Sequence, residues 1–149
     1  MKKSITFRTK YGWISAFEEK GKITEIKFFK TETKNIGTSR ILQKLRVTIQ
    51  LYFSNKIISF NLPLDIRGSI LQKKIWKELK KIPYGKTKSY GEIAKIVKTS
   101  PRYVGNVCGQ NKHLLLIPCH RGIRTDGTLG GFSGTGGLTL KKRLLKLEK

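Results

Sequence analysis

Ser89-Tyr90-Gly91-Glu92-Ile93-Ala94-Lys95-Ile96-Val97-Lys98-Thr99-Ser100-Pro101-Arg102-Tyr103-Val104-Gly105 contains two helix starts in succession. Ser89 is an N-cap, and Glu92 three residues later completes a capping box. Ser100 is a second N-cap, with Pro101 at the first helical position. Lys98-Thr99 forms the turn, and the second helix is expected to run from Pro101 to about Gln110. Two short helices joined by a tight turn make a helix-turn-helix pattern. As a plain helical hairpin it would only fill a core. As a DNA-binding element it exposes Arg102 at the start of the second helix. Gly105 and Asn106 then lie on one face, small enough to let backbone approach DNA.

Downstream, the apolar run Leu114-Leu115-Leu116 leads into Ile117-Pro118-Cys119-His120-Arg121. An apolar run stopped by Pro reads as a buried strand ending in a tight turn, which fixes a thiol beside an imidazole. Cysteine attacks as the thiolate, and a positioned His can take its proton. A glycine-rich stretch follows, with Gly122, Gly127, Gly130, Gly131, Gly134, Gly136 and Gly137. No Gly-Lys-Ser/Thr follows it, so a loop lining a pocket fits better than a phosphate loop. Leu138, Leu140, Leu144, Leu145 and Leu147 mark a last helix that reaches Glu148.

Upstream, Leu71, Ile75, Leu79 and Ile82 form one helical face with Trp76 beside it, ended by Pro83-Tyr84-Gly85. Residues 4 to 29 read as strands, with Ile5, Phe7, Trp13, Ile23, Ile26 and Phe28 as apolar positions and a turn at Lys20-Gly21-Lys22. Ile41, Leu42, Leu45, Ile49 and Phe53 recur at helical spacing between Thr38 and Asn55, and residues 56 to 68 read as a strand plus linker. The fold expected is α+β. A strand-plus-helix supporting domain over 1–62 precedes a mainly helical domain over 63–149.

The 149 residues carry 32 Lys+Arg against 9 Asp+Glu, a net charge of +23. Such a field attracts polyanions. The 24 lysines against 8 arginines also fit a genome-wide compositional bias, so charge alone names no sequence. No run of 18 apolar residues exists to span a membrane, and the basic start Met1-Lys2-Lys3 lacks the apolar stretch of a secretory signal. Cys108 and Cys119 are too few for a disulfide framework, so a reduced, cytoplasmic protein is expected. The first 68 residues hold neither Cys nor His. No metal and no cofactor are expected.

The whole order is distinctive. A helix precedes Ile82-Pro83-Tyr84-Gly85-Lys86-Thr87-Lys88-Ser89-Tyr90-Gly91-Glu92-Ile93-Ala94. Ser100-Pro101-Arg102-Tyr103-Val104-Gly105, Asn111, Pro118-Cys119-His120-Arg121, Gly130-Gly131-Phe132-Ser133-Gly134 and Glu148 follow. From about Ser69 to Glu148 this resembles the O6-alkylguanine-DNA alkyltransferases. The resemblance implies single-turnover transfer of an alkyl group from guanine O6, and leaves O4-alkylthymine open as a second substrate. It implies Cys119 as acceptor, His120 as proton relay through a water, Glu148 as its orienting partner and Asn111 as a brace of the turn. It implies Arg102 as the finger that fills the gap left by an extruded base, with Ser100, Tyr103 and Gly105 beside it on the DNA face. Tyr90, Cys108, Gly122, Ser133 and Gly134 are implied as pocket residues. Ser133, or Thr135 in the lengthened loop, would donate to O6, and backbone near Cys119 and Gly122 would accept from the exocyclic amine. The partner implied is double-stranded DNA bearing O6-alkylguanine, bound by a monomer.

Four departures stand out. Gly122 replaces the usual Val, which suggests a barer pocket wall. Tyr103 follows the finger where a small residue is usual, Phe132 replaces the common Tyr, and Ser133 to Gly137 lengthens the loop. Three other readings compete. A non-enzymatic damage sensor of the alkyltransferase-like kind is opposed by Cys119. A transcription regulator leaves Cys119 and His120 without roles, and a Cys-His hydrolase has nothing beyond the pair.

Overall fold

The computed structural model describes residues 2–29, 39–56, 59–130 and 137–149. The chain divides into two compact units, Met1–Ile66 and Arg67–Lys149. In the first, β1 (Lys2–Thr9), β2 (Gly12–Glu19) and β3 (Lys22–Lys27) form an antiparallel meander in the order β1-β2-β3. Lys20 and Gly21 both take positive φ (53° and 81°), as a tight hairpin between twisted strands requires. Alternation puts Ile5, Phe7, Ile14, Ala16, Ile23 and Ile26 into the core. Helix α1 (Arg40–Phe53) adds Leu42, Leu45, Ile49, Tyr52 and Phe53. Ser39 caps α1 and also donates to Glu18 Oε1 at 3.0 Å, which ties the helix start to β2.

Two sequence expectations change here. Residues 59–68 form no strand; Leu64 makes a single bridge to Ile23, with Ile23 N–H donating to Pro63 O (2.9 Å) and Asp65 N–H to Ile23 O (2.8 Å). These bonds keep Pro63 to Asp65 with the first unit, whose limit is therefore Ile66 rather than residue 62. Pro63 itself lacks the N–H that a longer ladder needs.

The second unit holds α2 (Ile70–Lys80), β4 (Lys88–Ser89), α3 (Tyr90–Val97), α4 (Pro101–Gly109), β5 (Gly122–Ile123) and α5 (Gly137–Leu147). Three serine caps start three of these helices: Ser69 with Gln72 in a capping box, Ser89 with Glu92 in another, and Ser100 with Pro101 at N1. Each such cap is worth about 1 kcal/mol. Helix α3 stops at Lys98, which takes the left-handed conformation (φ 60°), and α4 starts three residues later. The core joins Ile75, Leu79, Ile82, Ile93, Val104, Val107, Leu140 and Leu144. Trp76 reaches α4, its indole N–H donating to Val107 O at 3.3 Å.

Leu114 to Ile117 are buried, but they form a turn instead of a strand. Leu115 has φ 74°, and Ile117 N–H donates back to His113 O at 2.9 Å. Hydrophobicity marked the burial correctly. It carries no information about the direction of the chain.

Candidate active site and nucleic-acid interface

The turn that bears Cys119 is held at several points. Pro118 (φ −79°, ψ 68°) is the centre of an inverse γ-turn in which Cys119 N–H donates to Ile117 O at 2.8 Å. Asn111 donates from Nδ2 to the same carbonyl at 2.8 Å, and its Oδ1 accepts from His113 N–H at 2.8 Å. Cys119–Arg121 then forms one 3-10 turn, and Gly122 and Ile123 leave it as β5, paired in parallel with β4. That pairing fixes the cysteine turn against the start of α3.

Cys119 is 1% exposed, and burial pushes its thiol up to about 11. A hydrogen bond with the Asn111 side chain and the charge of Lys141 pull the other way. Cys108 is buried too, and burial followed by the nearby Cys119 raises it to about 12. Neither thiol ionises unaided at neutral pH. His120 is buried beside Cys119, and its Nε2 lies 2.7 Å from Glu148 Oε2. A carboxylate there holds the proton on Nε2 and leaves Nδ1 as the basic nitrogen. Nδ1 is buried and makes no hydrogen bond among the described residues. Burial, the largest influence, lowers the His120 pKa against the upward pull of Glu148, so the ring is neutral and able to accept a proton.

Glu148 lies just past α5 yet is 3% exposed. Arg121 grips it with two bonds, Nε to Oε1 (2.9 Å) and Nη2 to Oε2 (2.8 Å), while Nη1 donates to Ile82 O (2.8 Å). Gly85 N–H donates to Oε1 at 3.3 Å. Gly85 has φ 80°, and a Cβ there would come within 2.9 Å of Glu148 O, so both conformation and space require glycine. Arg121 thus ties the cysteine turn to Ile82 and Glu148.

Tyr90, the first residue of α3, is buried against backbone. Added Cβ atoms at Gly105, Gly122 and Gly130 would meet its ring or hydroxyl at 3.1 Å or closer. The absence of side chains at Gly105 therefore serves the packing of Tyr90. Gly122 does not leave a bare wall either, since Tyr90, Leu79 and the Cys108 sulfur occupy the space around it. Burial holds the Tyr90 phenol well above its ordinary range, so it stays protonated.

Lys141 was not singled out by the sequence. It sits in α5 and is fully buried, with Nζ donating to Gly122 O (2.7 Å), Tyr90 OH (3.3 Å) and Gly130 O (3.5 Å). Its acceptors are neutral oxygens, and the two thiols are the groups that favour its charged form, against the larger effect of burial. The only sequence signal was position: with Leu140 and Leu144 facing inward, Lys141 falls on the flank of the apolar stripe, where a long aliphatic stem reads as amphipathic cover.

A cavity of about 850 Å³ lies beside Tyr90, lined also by Arg102, Gly105, Asn106, Arg124, Asp126 and Gly130 among others. Arg102 is exposed in the first turn of α4, Ser100 caps that helix, and Tyr103 is half-buried. Tyr90 and Gly105 belong to both the cavity lining and the packing near the thiols. Ser133 and Gly134 lie outside the described residues. No cluster of His, Cys, Asp and Glu able to hold a metal occurs among the described residues. Among the described residues no helix is long and apolar enough to cross a membrane.

The helix-turn-helix and the buried Cys-His-Glu constellation belong to the same compact unit. Residues 70–149 match the family described as "6-O-methylguanine DNA methyltransferase, DNA binding domain". The methylated-DNA–protein-cysteine methyltransferase of Sulfolobus acidocaldarius is 36% identical over 142 residues, covering 95% of this chain and 90% of that protein. Its Mycobacterium tuberculosis counterpart is 42% identical over 103 residues, 68% of this chain but only 61% of the relative. The crystal structure of Mycobacterium tuberculosis OGT in complex with DNA superposes with a TM-score of 0.82 at 30% identity, covering 97% of this chain and 92% of that one. The chain belongs to the methylated-DNA–protein-cysteine methyltransferase family.

Proposed function

We propose that this protein repairs O6-alkylguanine in double-stranded DNA by moving the alkyl group irreversibly onto Cys119. The observation that carries this reading is the buried Cys119-His120-Glu148 arrangement, next to a cavity framed by Tyr90 and the first turn of α4. The Cys119 proton passes to His120 Nδ1 through a water, and Glu148 takes up the charge that forms on the imidazole. The thiolate attacks the alkyl carbon. The carbon–O6 bond breaks, its electron pair stays on the guanine, and the proton released by the thiol ends on the base. Lys141 supplies a fixed positive charge toward the thiolate, and Asn111 braces the turn and bonds to the sulfur. The product thioether has no route back to thiol, so each molecule acts once.

A base in duplex DNA must leave the stack to reach a buried thiol. Tyr90 helps turn the nucleotide into the cavity. Gly122 O accepts from Lys141, and its second lone pair can take the exocyclic amine of guanine. Ser133 remains the expected donor to O6. The Cys119 thiol opposes a damage-sensing role without chemistry.

Intact-mass measurement after mixing with a duplex carrying one O6-methylguanine tests the reading. A gain of one methyl group on the Cys119 peptide is expected. Modification of Cys108 instead, or repeated turnover, overturns it. Arg102 is the finger: its planar cation stacks on the bases left behind. Arg102→Ala should slow repair in duplex DNA by at least about tenfold, since unstacking costs a few kcal/mol. It should leave reaction with free O6-benzylguanine unchanged. Equal slowing on both substrates would assign Arg102 to the pocket instead.

A further inference from the structure

The reaction as described leaves Arg124 without a role. Arg124 follows β5 directly, is exposed, and lines the same cavity as Arg102 and Tyr90. Its guanidinium makes no hydrogen bond among the described residues; Asp126 lines the same cavity, and after its bonds to Thr128 the charge of Arg124 also lowers its pKa. Its backbone, by contrast, is fixed. Arg124 N–H donates to Thr128 O and Gly127 N–H to Arg124 O, both at 2.9 Å. Asp126 Oδ1 accepts from Thr128 N–H (3.0 Å) and Oγ1–H (2.7 Å), so its carboxylate is committed to the turn and held below its ordinary range. The result is a fixed loop that carries the exposed Arg124 guanidinium, with the Asp126 carboxylate beside it, to the cavity rim.

The electrostatics of the cavity point the same way. Burial dominates the shifts of Tyr90 and Lys141, and the charge of Arg124 adds a smaller downward pull on both. Arg102 adds another cation to the lining. Against these two guanidiniums the lining sets one carboxylate, Asp126, so the concave surface is still net positive and favours an anion. When a nucleotide is drawn into the cavity, its two flanking phosphodiesters come with it to the rim. A guanidinium meets two phosphate oxygens in one plane, which a lysine cannot do.

We infer that Arg124 binds a phosphodiester that flanks the extruded nucleotide, and so stabilises the extruded state over the intact duplex. The inference rests on the proposed alkyl-transfer reading and names the part of the substrate that this rim holds. It also separates two kinds of arginine: Arg102 fills the stack, whereas Arg124 neutralises one phosphate.

The test uses the full chain carrying Cys119→Ser, so that complexes persist, with and without Arg124→Gln. Arg124→Gln should weaken binding to an O6-methylguanine duplex by about tenfold, the scale of one charge-assisted contact. Binding to undamaged duplex should change much less. The slope of log K against log salt on the damaged duplex should become shallower by roughly 0.9. An uncharged methylphosphonate placed at each flanking linkage in turn should mimic the mutation at one linkage only, with no further loss when both changes are combined. Additive losses at both linkages, or equal losses on damaged and undamaged DNA, overturn the inference. Alkyl transfer to Cys119 by the unmodified protein is measured in parallel. Its failure would sink the alkyl-transfer reading itself, whereas normal transfer with an inert Arg124 sinks only this inference.

Discussion

Lys141→Met should slow alkyl transfer by roughly tenfold to a thousandfold, on duplex DNA and on free O6-benzylguanine alike. The estimate follows from the charge it removes: an opposite charge close to an ionisable group moves its pKa by about one to three units, and the thiolate fraction falls tenfold per unit. The Cys119 thiol already lies at about 11 because it is buried, with Lys141 among the influences pulling it down. Without the ammonium the thiol should titrate still higher, and the rate should be recovered progressively as pH rises. Loss on the free base distinguishes Lys141 from Arg102, whose effect requires a duplex. Stability should move the other way. A buried ammonium whose acceptors are neutral oxygens carries a desolvation cost of several kcal/mol. The bonds lost at Gly122, Tyr90 and Gly130 return about 1–3 kcal/mol each at most where an acceptor stays unsatisfied, and the tyrosine hydroxyl can reorient. Desolvation wins, and the variant should melt higher while reacting more slowly. A variant that melts lower and loses activity in proportion would mean that Lys141 is a structural tie rather than part of the chemistry.

Local signals explain what was legible before the structure. Ser89 with Glu92 and Ser100 with Pro101 are complete cap signatures within four residues, so both helices of the helix-turn-helix were readable from sequence. The alternation of β1 to β3 and the 3.6-residue spacing of α1 are equally local. Pro118-Cys119-His120-Arg121 marked a tight turn because proline fixes its own backbone angle. What escaped was either long-range or cancelled out. Leu114-Leu115-Leu116 is apolar enough for a buried strand, but the positive φ of Leu115 answers to the turn it must close, which no propensity records. Gly122 looked like missing wall, yet Tyr90 and Leu79 arrive from distant segments to fill the space. Lys141 carries no sequence signal because nothing nearby in the chain shows that Gly122 O, Gly130 O and Tyr90 OH converge on it. Arg124 was passed over as one more cation in a chain of net charge +23.

Glu148→Gln should damage both stability and chemistry, because one carboxylate serves two partners. It receives two bonds from Arg121 and one from His120, all at 2.7–2.9 Å and all buried. Removing one partner of a buried ion pair leaves an uncompensated guanidinium, at a cost of about 3–5 kcal/mol. The neutral amide keeps the shape and some hydrogen bonds, so the chain should still fold, with a lower melting temperature. The chemical effect is separate. Gln can still accept from His120 Nε2–H, but it no longer stabilises the imidazolium that forms as Cys119 loses its proton. The His120 pKa, already lowered by burial, should fall further, and the transfer rate with it. His120 and Glu148 then act as one unit, and such groups are not additive. The His120→Ala, Glu148→Gln double variant should react little more slowly than the worse single variant. Arg121→Gln provides the contrast: it removes the same ion pair and a comparable share of stability but leaves the carboxylate on His120, so its transfer rate per folded molecule should stay closer to that of the unmodified protein. If Glu148→Gln transfers at the unmodified rate across the pH range while melting lower, Glu148 serves Arg121 and the turn alone, and His120 works without an orienting carboxylate.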